Sequence, residues 1–127
     1  MKVALIGHTN SEDFYKFLLN AKFERTFAFS IDRKLKFNEL SRRLGFNVIV
    51  VNPNYLDWKE EFKSAILDFS PDIILNIEFL YSLEDFDVYN FYNFEKFFVV
   101  EYKENIIFLG DSFSEFLNIL KEKKKSL

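Results

Sequence analysis

The stretch "VALIGHTNSEDF", residues 3–14, decides how the rest of the chain is read. Four apolar residues run up to Gly7, and three residues able to cap a helix, Thr9, Asn10 and Ser11, come next. Two acids, Glu12 and Asp13, then open a segment whose apolar residues return at helical spacing, Phe14, Phe17 and Leu18. A short run that is apolar on both faces marks a central parallel strand. Hydroxyl and amide residues followed by acids suit the free N–H groups and the dipole of a helix start. A buried strand, a polar turn and a helix are therefore expected, and this is the unit from which α/β sheets are built.

Working outward, "FERTFAFSI" (23–31) is strand-like and "KFNELSRRL" (36–44) spaces Phe37, Leu40 and Leu44 for a helix stopped by Gly45. "NVIVVNP" (47–53) reads as a strand closed by Asn52-Pro53. Residues 56–69 set Trp58, Phe62, Ala65, Ile66 and Phe69 on one helical face, and Pro71 ends that helix before the buried strand "DIILNIEF". Residues 80–95 show no clean period. "KFFVVEY" (96–102) and "NIIFLG" (105–110) read as two short strands around a Lys103-Glu104 turn, and Asp111 or Ser112 caps a last helix. Alternating strands and helices predict an α/β fold, a three-layer Rossmann-like sandwich with a mostly parallel twisted sheet and helices on both faces. We expect one such domain over residues 1–127.

Composition narrows the function classes. Among 127 residues, 49% are hydrophobic and 18 are Phe, while Gly and Pro number three and two, so a full core and short loops are expected. No window approaches the roughly 18 unbroken apolar residues of a membrane helix. "MKVALIG" has no secretory leader pattern, and absent cysteines exclude disulfides, thiolate metal sites and a Cys nucleophile. A cytoplasmic protein without membrane contact is the expectation.

Charge is uneven: residues 16–43 carry eight Lys or Arg against three acids, whereas 64–95 carry seven acids and no base. Two solvated faces, or complementary faces for a partner, both follow from such a pattern. The aromatic stretch 86–98 is acidic, which argues against a base-stacking platform and for core packing, a homodimer contact or another protein partner. The mixed tail "KEKKKSL" does not argue for nucleic acid.

Ligands in doubly wound sheets sit beyond the carboxyl ends of the strands. That rule lines up Gly7–Ser11, Ser30–Arg33, Asn52–Asn54 and Asn76–Tyr81 on one rim. A lone glycine makes neither a dinucleotide fingerprint nor a Walker loop, but the turn of Gly7, His8, Thr9 and Asn10 could receive a small anion. His8, the single histidine, excludes a His-pair metal site. Asp32 stands where an acid reaches a ribose in nucleotide-binding sheets, and Arg33 beside it could meet a phosphate or carboxylate. Asn76 and Glu78 alternate with Leu75 and Ile77, so both should face one way, and polar groups on a buried strand need partners. Glu84, Asp85 and Asp87 lack a supporting His and are not assigned to a metal. No residue is given a catalytic role, and nothing names a cofactor.

Four pieces in order, "MKVALIGHT", "FAFSIDR", "ELSRRLGFNVIVVNP" and "SPDIILNIEFLYSL", resemble the N-terminal half of formyltransferases of the methionyl-tRNA formyltransferase type, over residues 1–83. The resemblance implies formyl transfer from a folate by an Asn, a His and a later Asp. The family's "N.H.S.LP" motif reads "YNFYNFEKF" here: Asn90 can stand for the Asn, but Tyr92 replaces the His and Phe94 the Ser. The loop lining the family's folate pocket reads "FLYSLED", without its Gly or Pro. No counterpart of the later Asp is found. A phenol, with a pKa near ~10, is no base at neutrality. The expectation is a degenerate formyltransferase-like domain that does not catalyse formyl transfer and binds a small anionic ligand or a protein partner. The alternatives are a nucleotide- or nucleotide-sugar-dependent transferase domain, or a receiver-like signalling domain.

Overall fold

A computed structural model of the chain describes residues 1–52 and 57–125. Seven strands form one sheet: β1 (Lys2–Gly7), β2 (Arg25–Ser30), β3 (Asn47–Val50), β4 (Ile73–Ile77), β5 (Tyr89–Asn93), β6 (Phe98–Tyr102) and β7 (Asn105–Gly110). Four helices join or follow them: α1 (Asp13–Leu18), α2 (Lys36–Arg43), α3 (Trp58–Phe69) and α4 (Phe113–Lys125). The strand order is β3-β2-β1-β4-β5-β6-β7. Pairs from β3 through β5 are parallel, and β5–β6 and β6–β7 are antiparallel. The expected α/β Rossmann-like class is observed. Asn54 and Leu56, expected at the rim and at the start of a helix, lie outside the described residues.

The alternation within β1 divides the core. Val3 and Leu5 join one cluster with Phe14 and Phe17 of α1, Phe37 and Leu40 of α2, and Phe113, Phe116 and Leu117 of α4. Ala4 and Ile6 join the other, with Phe27, Phe29 and Ile74 of the sheet and Phe62 of α3. Three helices thus cover one face, and α3 with the segment before β5 covers part of the other.

The strand missing from the sequence reading is β5. It pairs with β4 only through Leu75 with Tyr89 and Asn76 with Asn90, then runs past the end of β4 beside β6. β4 itself stops at Ile77. Glu78 takes a left-handed φ of 53° and is exposed, so it does not continue the alternation begun by Asn76. α3 closes as its sequence requires: Ser70, with φ 51°, donates its N–H to the Ile66 carbonyl, and Pro71 follows. Ser112 caps α4, its Oγ accepting from the Glu115 N–H at 3.2 Å.

The β1–α1 turn is held by its neighbours. Asn10 Oδ1 accepts the Lys36 N–H at 3.0 Å, and the Thr9 carbonyl accepts the Phe37 N–H at 3.1 Å. The two bonds fasten the start of α2 over the end of β1, and the buried Phe37 ring lies against Gly7. A Cβ at Gly7 would stand 2.5 Å from that ring. Gly7→Ala should therefore lower the unfolding free energy by about 1–3 kcal/mol in urea titration, as overpacking does, and Phe37→Leu in the same chain should recover part of it.

The β6–β7 hairpin turns through Lys103 and Glu104, with φ of 48° and 67°. Two positive φ values in a two-residue turn favour Asn-Gly, because a Cβ costs energy there. Glu104→Gly should raise thermal stability, by about 0.5–1 kcal/mol after the glycine's larger unfolded-state entropy is deducted. A fall in melting temperature would contradict that reading of the turn.

Candidate functional site

The carboxyl rim of the sheet carries two clefts of opposite charge, and the expected site residues are divided between them. The first, about 510 Å³, lies between the turn after β2, Asp32 to Lys34, and the end of β3, Val50 to Asn52. Its turn is built from within. Buried Ser30 donates its hydroxyl to Asn38 Oδ1 at 2.7 Å, and Asn38 Nδ2 donates to the Asp32 carbonyl at 2.8 Å. Asp32 Oδ1 accepts the Lys34 N–H at 3.0 Å, and Val51 donates its N–H to the Ser30 carbonyl. These bonds leave Arg33 and Lys34 exposed at the cleft. Among the described residues neither has a carboxylate within ion-pair distance. Asn38, fully buried on α2, is the residue that the sequence reading missed. Its signal was a polar residue inside the helical apolar spacing of Phe37 and Leu40.

The second cleft, about 500 Å³, opens where β4 and β5 part, lined by Asn76, Tyr81, Glu84, Asp87, Asn90 and Glu101 among others. Asn76 Nδ2 donates to Asn90 Oδ1 at 2.9 Å, and Asn76 Oδ1 accepts the Phe79 N–H at 2.9 Å. The polar residue on a buried strand thus has protein partners. Four carboxylates, Glu84, Asp87, Glu101 and Glu104, stand around this cleft against Lys103. Asp87 accepts the Tyr102 hydroxyl at 2.7 Å, and Asp85 nearby accepts from Lys59 at 3.1 Å. Lys59, by hydrogen bond and charge, holds the Asp85 carboxyl below its ordinary pKa.

Gly7 to Asn10 follow the end of β1, and their hydrogen bonds run to neighbouring elements of the fold. Thr9 Oγ1 accepts the Ser11 N–H, Ser11 Oγ accepts the Asp13 N–H, and Asn10 caps α2 rather than α1. Glu12 accepts from Lys36 Nζ at 2.8 Å, which lowers the carboxyl pKa and raises that of the amine. At full exposure such a pair contributes little to stability. His8 donates its backbone N–H to the Ile77 carbonyl, while its Nδ1 is buried without a hydrogen-bond partner among the described residues. A further cleft of about 550 Å³ lies by Arg25, Asn47 and Asp68, and none of the expected site residues lines it.

Superposition on solved structures defines a class: the chain has a formyltransferase-like fold. Phosphoribosylglycinamide formyltransferase from Anaplasma phagocytophilum superposes with a TM-score of 0.65 at 13% identity, covering 86% of this chain and 70% of that one. The enzyme of the same description from Streptococcus pneumoniae TIGR4 gives 0.61 at 12%, covering 85% and 79%. Both are phosphoribosylglycinamide enzymes, not the methionyl-tRNA type that the sequence pieces resemble. No protein-family model and no curated protein matches the chain. Among the described residues no helix is long and apolar enough to cross a membrane.

Burial first, and then the Glu101 carboxylate, push the Tyr92 phenol above its ordinary pKa. Burial, with Tyr102 and Asp87, does the same to Tyr89. A proton held more tightly in the folded state gives stability that is intact below about 10 and lost as pH rises through the folded values, because the unfolded chain ionises first. Absorbance titration should show two phenols ionising late. Tyr89→Phe and Tyr92→Phe should each remove one and reduce the alkaline loss of stability; an unchanged late phase would contradict the assignment.

Proposed function

We infer that this chain is a formyltransferase-like domain that has lost formyl transfer and holds a small anionic ligand in the cleft beside Asp32 and Arg33. The observation carrying this reading is the pair of cations, Arg33 and Lys34, held at the cleft by a buried hydrogen-bonded turn with no carboxylate paired to either among the described residues. Guanidinium and ammonium groups side by side suit a phosphate ester, one as a fork and the other as a point charge. The solved relatives in fold are named for phosphoribosylglycinamide, which bears such an ester. That favours a phosphorylated small molecule over the tRNA substrate of the methionyl-tRNA type.

Loss of formyl transfer rests on Tyr92 and on the other cleft. At the position the resemblance gives to the catalytic His stands Tyr92, a phenol protonated near neutrality in any case, whose pKa burial raises further. The segment that corresponds to the folate loop borders a cleft ringed by carboxylates. A folate, itself ending in carboxylates, would be repelled there.

Thermal-shift titration with ribose 5-phosphate, a nucleoside monophosphate and a folate tests both halves of this reading. A phosphate ester at about 100 times its dissociation constant should add roughly 2.7 kcal/mol of stability. Arg33→Ala with Lys34→Ala should abolish the shift, and folate should give none. A phosphate-ester shift surviving in that variant, or a folate shift, would overturn the reading.

A further inference from the structure

The antiparallel half of the sheet carries apolar residues on both faces, yet the helices packed on it, α1 and α4, cover only one. Register alone arranges the outer face in rows. Phe94 lies beside Phe97, Tyr92 beside Val99 and Leu109, and Asn90 beside Glu101 and Ile106. The opposite rows, Phe91, Val100 and Phe108, are buried beneath α1 and α4. An antiparallel sheet with one solvated face ordinarily turns polar residues outward. Here Ile106 and Leu109 are 66% and 64% exposed, and Phe94 and Tyr92 48% and 45%. Phe94 and Phe97 stack on each other at 4.7 Å. Among the described residues the one helix on this side, α3, packs over β1, β2 and β4 through Phe62, Phe27, Phe29 and Ile74 instead.

We propose that this outer face of β5–β6–β7 is the contact surface of a homodimer, two copies stacking sheet on sheet about a two-fold axis that runs across the strands near Val99. Size and charge favour a second copy. The exposed side chains offer on the order of 500 Å² of apolar area per copy, as estimated from typical aromatic and aliphatic areas. Two such faces together reach the roughly 1,000 Å² expected of a specific interface. The turn before β6 is Glu95-Lys96 and the turn after it Lys103-Glu104, all exposed. Stacking about that axis brings the Glu95-Lys96 turn of each copy over the Glu101, Lys103 and Glu104 end of the other, so that each turn meets one of reversed charge order, twice by symmetry, as an isologous contact requires. A two-fold along the strands would instead set like turns together. The dimer narrows the expectation of a contact through residues 86–98 to one face of that segment, and extends it across β6 and β7. It is independent of the anion cleft.

Sedimentation of the full chain over a concentration series tests the proposal. A reversible dimer is expected, with Leu109→Lys raising its dissociation constant about thirtyfold or more, as expected for a central contact residue. Circular dichroism and a melt check that this exposed-site variant still folds. Lys96→Glu should weaken the dimer about tenfold, and adding Glu104→Lys should restore it. A monomer at every concentration, a dimer indifferent to Leu109→Lys, or a charge swap that restores nothing would overturn the proposal.

Discussion

The seat of the Phe37 ring on Gly7 is the contact on which the carboxyl rim depends. It forces the glycine, brings α2 down over β1, and requires the start of α2 to be caught by the β1–α1 turn, through Asn10 and Thr9. Once α2 is fixed there, Asn38 lies one position further along, buried against Ser30 and the Asp32 carbonyl, and the Asp32–Lys34 turn takes its shape. A glycine at the end of a first strand commonly lets backbone approach a pyrophosphate. In this chain the space is filled by a phenyl ring. The polar residues of "GHTN" work as a clasp between two elements, and the exposed cations at the rim, Arg33 and Lys34, come from the turn after β2.

The elements that were legible in the sequence are those that carry their own reason for existing. β1 and β4 are runs of apolar residues bounded by breakers, and α3 ends where Ser70 and Pro71 make it end. β5 was not legible, because four of its five residues are Tyr or Asn and its strand character comes from β6 alongside. That is tertiary override of local propensity. Of the expected site residues, Asp32 and Arg33 share a cleft, whereas Asn76 belongs to another and Glu78 leaves the strand. Asn38 escaped notice because a single polar residue in a helix says nothing of what faces it until the strand register is known.

The fold is formyltransferase-like, while the side chains at its rim differ from those that the resemblance implies. Where the resemblance implies an Asn and a His that act together, Asn90 accepts a bond from Asn76, and Tyr92 stands outward on an apolar face. Negative charge surrounds the β4–β5 side and positive charge the β2–β3 side, so the two clefts cannot favour the same ligand. A fold kept at 13% identity to a solved relative constrains the sheet and its helices. It constrains the rim side chains much less.

The irregularity in β6–β7 pairing at Val100 and Glu101 has a consequence for how this surface arose. Side chains on a strand alternate, so residues separated by an odd number of positions should point apart. Ile106 and Leu109 are three apart, yet both lie opposite outward residues of β6, because one extra residue of β7 is absorbed between them. In a ladder without that extra residue, the same sequence would turn one of the two into the core and expose a core side chain in its place. The apolar outer face thus hangs on the parity of a single residue count, which a one-residue insertion or deletion in the hairpin could create or erase in one step.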